Sequence, residues 1–338
     1  MTMSDSTPLL EMRDIRVKLP SGLEIVRGVD LVAEAGKVVG VVGESGSGKS
    51  VTVRAALGLM PSSSTLTGSI RFRGEELANA PQRRLRQLRG SKIGLVFQDP
   101  MTALNPVITV GNLIAEAVRL HNPGMSWRKA RLRAVELLDM VSVPQPEVRI
   151  DQYVHEFSGG MRQRAMIAMA VANNPDILVA DEPTTALDVT VQAQIMEVIK
   201  GLQQKFSMGL ILITHDLGVI AGVADTVVVM YSGKVVETGP VRQLFYASRH
   251  PYTRGLLSCL PTIVGDGGKL QPIPGSPPLL SARPSGCPFH PRCALAQDLC
   301  RTSEPPLREV DRLQTACHFA ETLRDGQFHP VPSPKGQP

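Results

Sequence analysis

The chain has 338 residues, enough for one large α/β domain and a smaller appendage. Hydrophobic residues make up 43% and aromatics only 4%, so a sizeable core is available but must rest on Val, Ile, Leu, Ala and Met. The net charge of +5 is too small to select nucleic acid or an anionic membrane over an ordinary mildly basic protein, and no run approaches the roughly 20 apolar residues of a bilayer span.

Residues 1–10 are polar and lack the basic start and apolar run of a secretory leader. The expectation is a soluble cytoplasmic protein that meets any membrane through partners. Residues 10–35 read as strands around a Pro20-Ser21-Gly22 turn. The apolar run Val38-Val39-Gly40-Val41-Val42 reads as a buried strand leading into a glycine-rich loop and a helix over about 50–59. Residues 68–74 suggest a short outer strand. The basic stretch Arg83, Arg84, Arg86, Arg89 and Lys92 reads as a solvated helix face. Without interleaved aromatics it is a poor nucleic-acid stripe, and no nucleic-acid partner is expected.

Residues 93–97 form a further buried strand, 107–142 a helix-rich stretch, and 177–180 and 210–214 two more strands. Residues 227–231 and 234–237 read as a hairpin about Ser232-Gly233. This alternation predicts an α/β fold with a parallel sheet and helices on both faces. Past about residue 260 proline and glycine dominate, which predicts a separate, irregular module. The Pro-rich stretch 329–338 is expected to be disordered.

Gly43-Glu44-Ser45-Gly46-Ser47-Gly48-Lys49-Ser50 fits the GxxxxGK[ST] phosphate-loop pattern, and Val51 follows it into the helix. Glycines let backbone N–H groups converge on phosphate oxygens, and the helix aims its positive end at the same anion. Lys49 suits the β- and γ-phosphates, and Ser50 suits Mg²⁺. The bland alternative, a flexible glycine-serine loop, fits poorly between a buried strand and a helix. Ile177-Leu178-Val179-Ala180-Asp181-Glu182 is an apolar strand ending in two carboxylates. Asp181 suits a Mg²⁺ role, and Glu182, one residue on, suits polarising the attacking water. Taken alone, this pair also fits a solvated acidic turn.

Phe157-Ser158-Gly159-Gly160-Met161-Arg162-Gln163, ahead of a helix expected at 164–172, resembles the signature of ATP-binding cassette (ABC) ATPases. Gln98 in Phe97-Gln98-Asp99-Pro100 resembles that family's Q-loop glutamine, which also serves Mg²⁺. Asp188 resembles its D-loop aspartate, and His215 its switch histidine. The resemblance covers about residues 8–255. It implies a P-loop NTPase cassette over 1–258, with a RecA-like parallel core, an antiparallel β subdomain and a helical signature subdomain at about 99–162. It also implies ATP and Mg²⁺ as ligands, catalytic roles for Glu182, His215 and Gln98, and head-to-tail pairing with a second ABC ATPase. In that pairing Ser158, Gly159, Gly160 and Asp188 of one chain complete the other's site. Two departures stand out: Met161 replaces a common glutamine, and no aromatic residue precedes Phe72 to stack on adenine, which leaves Leu19 or Val26 as candidates.

His250-Pro251-Tyr252-Thr253-Arg254, Met101-Thr102-Ala103-Leu104-Asn105-Pro106 and a cysteine-rich tail narrow the resemblance to dipeptide and oligopeptide importer ATPases, a group that includes nickel and glutathione systems. This implies two transmembrane permease subunits, an extracytoplasmic substrate-binding protein, and a peripheral position on the cytoplasmic side of the inner membrane. The competing classes are a non-transport ABC ATPase and a metal-cluster protein regulated by ATP. The first lacks its usual coiled coils or second cassette, and the second does not need a full set of cassette motifs.

Cys259 stands alone, while Cys287, Cys293, Cys300 and Cys317 are spaced C-x5-C-x6-C-x16-C within the module at 259–328. Disulfides suit the cytoplasm poorly. Zinc usually brings tight CxxC pairs, absent here. A [4Fe–4S] cluster accepts four thiolates at variable spacing, and the importer resemblance implies it. Unligated cysteines also remain open, as does replacement of a ligand by His290 or His318.

Overall fold

The computed structural model describes residues 8–260 and 272–323. The segment 329–338, expected to be disordered, lies outside them. Strands β1 (Leu10–Lys18), β2 (Glu24–Ala33), β3 (Val38–Val42), β4 (Thr65–Phe72), β5 (Glu75–Glu76) and β6 (Ile93–Val96) come first. They are followed by β7 (Ile177–Asp181), β8 (Gly209–Thr214), β9 (Thr226–Tyr231), β10 (Lys234–Pro240), β11 (Arg308–Val310) and β12 (Leu313–Thr315). They form a four-stranded antiparallel sheet, β2-β1-β4-β5, and an eight-stranded sheet, β11-β12-β10-β9-β3-β8-β7-β6. The run from β9 to β6 is parallel, and β10, β12 and β11 extend it antiparallel.

The parallel strands are continuously apolar because both faces are covered. Val39, Val41, Val179, Ile211 and Ile213 point toward the antiparallel sheet and the helix Lys49–Ala56. Val42, Leu178, Ala180, Leu210 and Leu212 point to the opposite face, into a core shared with the helices Gly159–Ala170 and Val189–Phe206, and the helices Val110–Leu120 and Trp127–Met140 pack on the first of these. Because β3, β6, β7 and β8 run parallel, their C-terminal ends, where the motifs sit, share one rim of the sheet.

Several boundaries differ from the sequence reading. The outer strand β4 begins three residues before Gly68 and ends at Phe72. The signature helix starts at Gly159 rather than Arg164, because Ser158 caps it by accepting the Met161 amide at 3.3 Å. The C-terminal residues, expected to be separate and irregular, instead place the β11–β12 hairpin on the cassette's own sheet through Glu237↔Thr315 and Thr238↔Gln314.

That seam contains a buried acid. Glu237 is 0% exposed and accepts hydrogen bonds from the Arg249 amide and from Thr315 Oγ1 at 3.0 Å. Burial pushes its carboxyl up to about 7 from an ordinary 4.5. The native protein therefore holds a proton that the unfolded chain releases, so this contribution to stability is full below about 4.5 and lost as pH rises through about 7. Hairpin amides, corrected for intrinsic exchange, are expected to be less protected at pH about 8 than at about 6, and Glu237→Gln should flatten the difference. Protection that ignores pH in the native protein would contradict this reading.

Candidate functional site

The turn after β3 is dictated by its glycines. A Cβ on Gly43 would lie 2.2 Å from the Met230 carbonyl oxygen, so no other residue fits. Gly48, at φ +100°, caps the helix Lys49–Ala56 with no side chain of its own, which leaves that helix's first amides facing outward. Ser47 Oγ is buried without a hydrogen-bond partner beside them. The donor-rich loop fits an anion, and phosphate oxygens would satisfy these groups. Lys49 is 5% exposed and folds back to donate to the carbonyls of Gly43 at 2.7 Å and Glu44 at 3.1 Å. Burial lowers its ammonium from the ordinary value, and Glu182, Asp181 and Glu44 oppose that shift.

Residues 44–51 line an open pocket of about 640 Å³ together with Gln98, Glu182 and His215. A larger groove, about 720 Å³, runs along β2, β9, β10 and the β11–β12 hairpin; it carries charges of both signs and none of the motif residues, so chemistry rather than volume places the site. Asp181 ends β7 and is 2% exposed. Its carboxylate accepts from Ser50 Oγ at 2.6 Å and from Arg54 Nη2 at 3.1 Å. Arg54 was absent from the sequence reading. Its signal was the i, i+4 spacing from Ser50, which puts both on one helix face.

Glu182 leaves the strand in the left-handed region at φ 49°, a conformation uncommon for a residue with a side chain. Its amide donates to Ile213 O at 2.9 Å, which anchors the turn to β8. Its Oε2 accepts from Gln98 Nε2 and from Thr185 Oγ1, both at 2.9 Å. His215 Nδ1 stands 3.8 Å from Glu182 Oε1 on a largely exposed ring. The structure thus gathers Lys49, Ser50, Gln98, Asp181, Glu182 and His215 at one rim, from four separate strand ends.

Ser158, Gly159, Gly160 and Asp188 do not line this pocket. A Cβ on Gly160 would meet Val191 Cγ1 at 2.8 Å, so the signature packs against the start of the helix Val189–Phe206. Asp188 caps that helix by accepting the Val191 amide at 2.9 Å. Val26, suggested for adenine, is 0% exposed; it faces the core from β2 and has no surface for a base. Leu19 is half-buried and does not line the pocket either.

The C-terminal module also reaches the phosphate loop, which the sequence reading missed. Arg292 donates to both carboxylate oxygens of Glu44, at 2.6 and 2.9 Å. The Glu44 amide donates to Tyr252 Oη at 2.9 Å. Cys287, Cys293, Cys300 and Cys317 border a single apolar pocket with His290 and His318. All are free thiols, so the disulfide reading has no support. Burial pushes Cys287 up to about 12 and Cys317 up to about 11. Among the described residues no three His, Cys, Asp or Glu groups converge closely enough to hold a metal ion. No helix among them is long and apolar enough to cross a membrane.

Comparison with known proteins agrees with this arrangement. A family profile described as "ABC transporter" matches residues 26–185, and one described as "Oligopeptide/dipeptide transporter, C-terminal region" matches 236–300. The oligopeptide transport ATP-binding protein OppD of Salmonella typhimurium is 48% identical over 300 residues, covering 88% of this chain and 89% of that protein. OppD of Mycobacterium tuberculosis is 50% identical over 308 residues, covering 90% of this chain; the chain spans about half the length of that relative, 50%. Among solved structures, the dimeric structure of MJ0796, a bacterial ABC transporter cassette, matches with TM-score 0.62 and 28% identity, covering 69% of this chain and 99% of that one. A post-hydrolysis MJ0796 cassette bound to ADP and Pi matches with the same TM-score at 27% identity, with the same coverage. The fold, the motif-bearing rim and these likenesses together place the chain in the ABC transporter family, among the oligopeptide transport ATP-binding proteins.

Proposed function

We propose that this chain binds and hydrolyses ATP to power import of oligopeptides. The observation that carries this reading is the single rim at which Lys49, the Ser50–Asp181 contact and the Gln98–Glu182 contact face one open pocket. Backbone amides of Gly43 and of residues 45–48, with the Lys49 ammonium, bind and orient the triphosphate, while the Glu44 amide is held by Tyr252 Oη. Ser50, Asp181 and Gln98 offer the oxygen donors that Mg²⁺ prefers, and the ion supplies charge neutralisation to the phosphates. Glu182 accepts a proton from the attacking water, with Gln98 and Thr185 orienting its carboxylate. His215 stands beside the γ-phosphate end.

The signature does not line its own pocket, so it serves a second ABC ATPase in a head-to-tail pair. The MJ0796 cassette that this chain resembles is dimeric. Two transmembrane permease subunits take up the motion and an extracytoplasmic binding protein delivers the peptide; the chain is peripheral at the cytoplasmic side of the inner membrane. Cells lacking the chain are expected to lose uptake of a labelled tripeptide. The native gene should restore it and a Lys49→Ala gene should not. Undiminished uptake in the deleted cells would refute import of peptides.

We infer also that Cys287, Cys293, Cys300 and Cys317 hold a [4Fe–4S] cluster, zinc being the alternative. What supports this reading is that four thiols border one apolar pocket; they would have to draw together to share the group. The bound group would supply cross-linking to a module with little core of its own. Anaerobically purified protein should contain about four iron atoms per chain. Zinc, or no metal, in that preparation would rule the cluster out.

A further inference from the structure

We propose that Arg292 and Tyr252 are positioning residues for the phosphate loop, so that the C-terminal module, through Arg292, and the helix Pro251–Ser258, through Tyr252, set nucleotide affinity. The proposal rests on the nucleotide-binding reading above. Glu44, the second residue of the loop, is held in three places. Its carbonyl accepts from Lys49 Nζ at 3.1 Å, its amide donates to Tyr252 Oη at 2.9 Å, and its carboxylate takes the fork of Arg292. The first hold is temporary, because Lys49 must turn from the carbonyls of Gly43 and Glu44 to meet phosphate. The other two come from beyond the nucleotide-binding motifs.

Arg292 is itself immobilised. Its side chain is 6% exposed, its Nε donates to Pro274 O at 2.8 Å, and its Nη1 lies 3.3 Å from Tyr231 Oη. Tyr252 is 0% exposed and packs its ring 4.7 Å from Tyr231 and 5.3 Å from Phe289. Phe289 and Arg292 both lie between Cys287 and Cys293, so the segment spanning two of the pocket cysteines delivers the guanidinium to the loop. A bidentate, partly buried, charge-assisted contact fixes direction as well as distance. The loop's amides are thereby aimed before ATP arrives, which lowers the cost of binding.

A purely structural latch would dock the module without changing affinity, and the two roles separate experimentally. Arg292→Met or Glu44→Gln alone leaves one charge buried without its partner and risks unfolding. The double variant Glu44→Gln/Arg292→Met leaves none. In the full chain, with Mg²⁺, the double variant is expected to bind ATP about tenfold more weakly, raising KM and leaving kcat nearly unchanged, with its melting temperature close to that of the native chain. Tyr252→Phe, which removes one hydroxyl, should weaken ATP binding by roughly threefold to fivefold, corresponding to one hydrogen bond. ATP affinity equal to native in a folded double variant, or in Tyr252→Phe should the double variant not fold, overturns the proposal. Failure of the native chain itself to bind ATP would instead remove the nucleotide reading beneath it.

Discussion

Glu182→Gln is expected to cut ATP turnover by about 10²- to 10⁴-fold, the usual contribution of a positioned general base, while ATP binding stays nearly unchanged. The substitution is close to isosteric. The new amide oxygen can still accept from Gln98 Nε2 and Thr185 Oγ1, so the turn at φ 49° keeps its contacts. What is lost is the capacity to take a proton from water. His215, 3.8 Å away on an exposed ring, does not share the carboxylate's hydrogen bonds to Gln98 and Thr185 and is not expected to replace it. Phosphate release and nucleotide affinity measured on the same preparation check both halves. Turnover within about twofold of native would show that the proton goes elsewhere.

Lys49→Ala should act on binding instead, weakening ATP affinity on the order of 10²-fold, as removal of a buried charge-paired group does. The ammonium is buried at the loop, and the three nearby carboxylates of Glu182, Asp181 and Glu44 favour its charged form. Without it these acids face the triphosphate with no nearby lysine between them. The backbone amides, which carry no net charge, and the Mg²⁺ ion then bear the anion without it. Calorimetric titration with ATP and Mg²⁺ measures the loss. An affinity within about threefold of native would mean that the amide cradle binds nucleotide unaided and that Lys49 serves only to close the empty loop.

Local chemistry was legible in the sequence. Gly43 to Ser50 announced its own turn, since only glycines tolerate the approach to Met230 O and the positive φ at Gly48. Continuous apolar runs marked β3, β7 and β8 because those strands are covered on both faces. The hairpin at Ser232-Gly233 was likewise visible, both residues adopting positive φ. What escaped was non-local or masked. The helix Val189–Phe206 begins with β-branched residues and buries only a narrow stripe, including Ile195, Ile199 and Leu202, so its pattern was overlooked. Gly159 and Gly160 read as a turn before a helix, yet the Ser158 cap draws them into its first turn. Val26 looked available to a base until strand alternation turned it inward. No local pattern predicts that Arg292 meets Glu44, 248 positions away, or that β12 joins β10. Those contacts turn a proline-rich tail into part of the nucleotide site's support.

Nucleotide is expected to be held between the phosphate loop of one cassette and the Ser158-Gly159-Gly160 signature of another. Light scattering on Glu182→Gln protein, mixed with its companion cassette where that is a different chain, tests it most directly. With ATP and Mg²⁺ the mass is predicted to rise to that of a cassette pair and to fall back when ADP replaces ATP. Saturated ATP binding at the mass of a single chain, with every companion present, would contradict it.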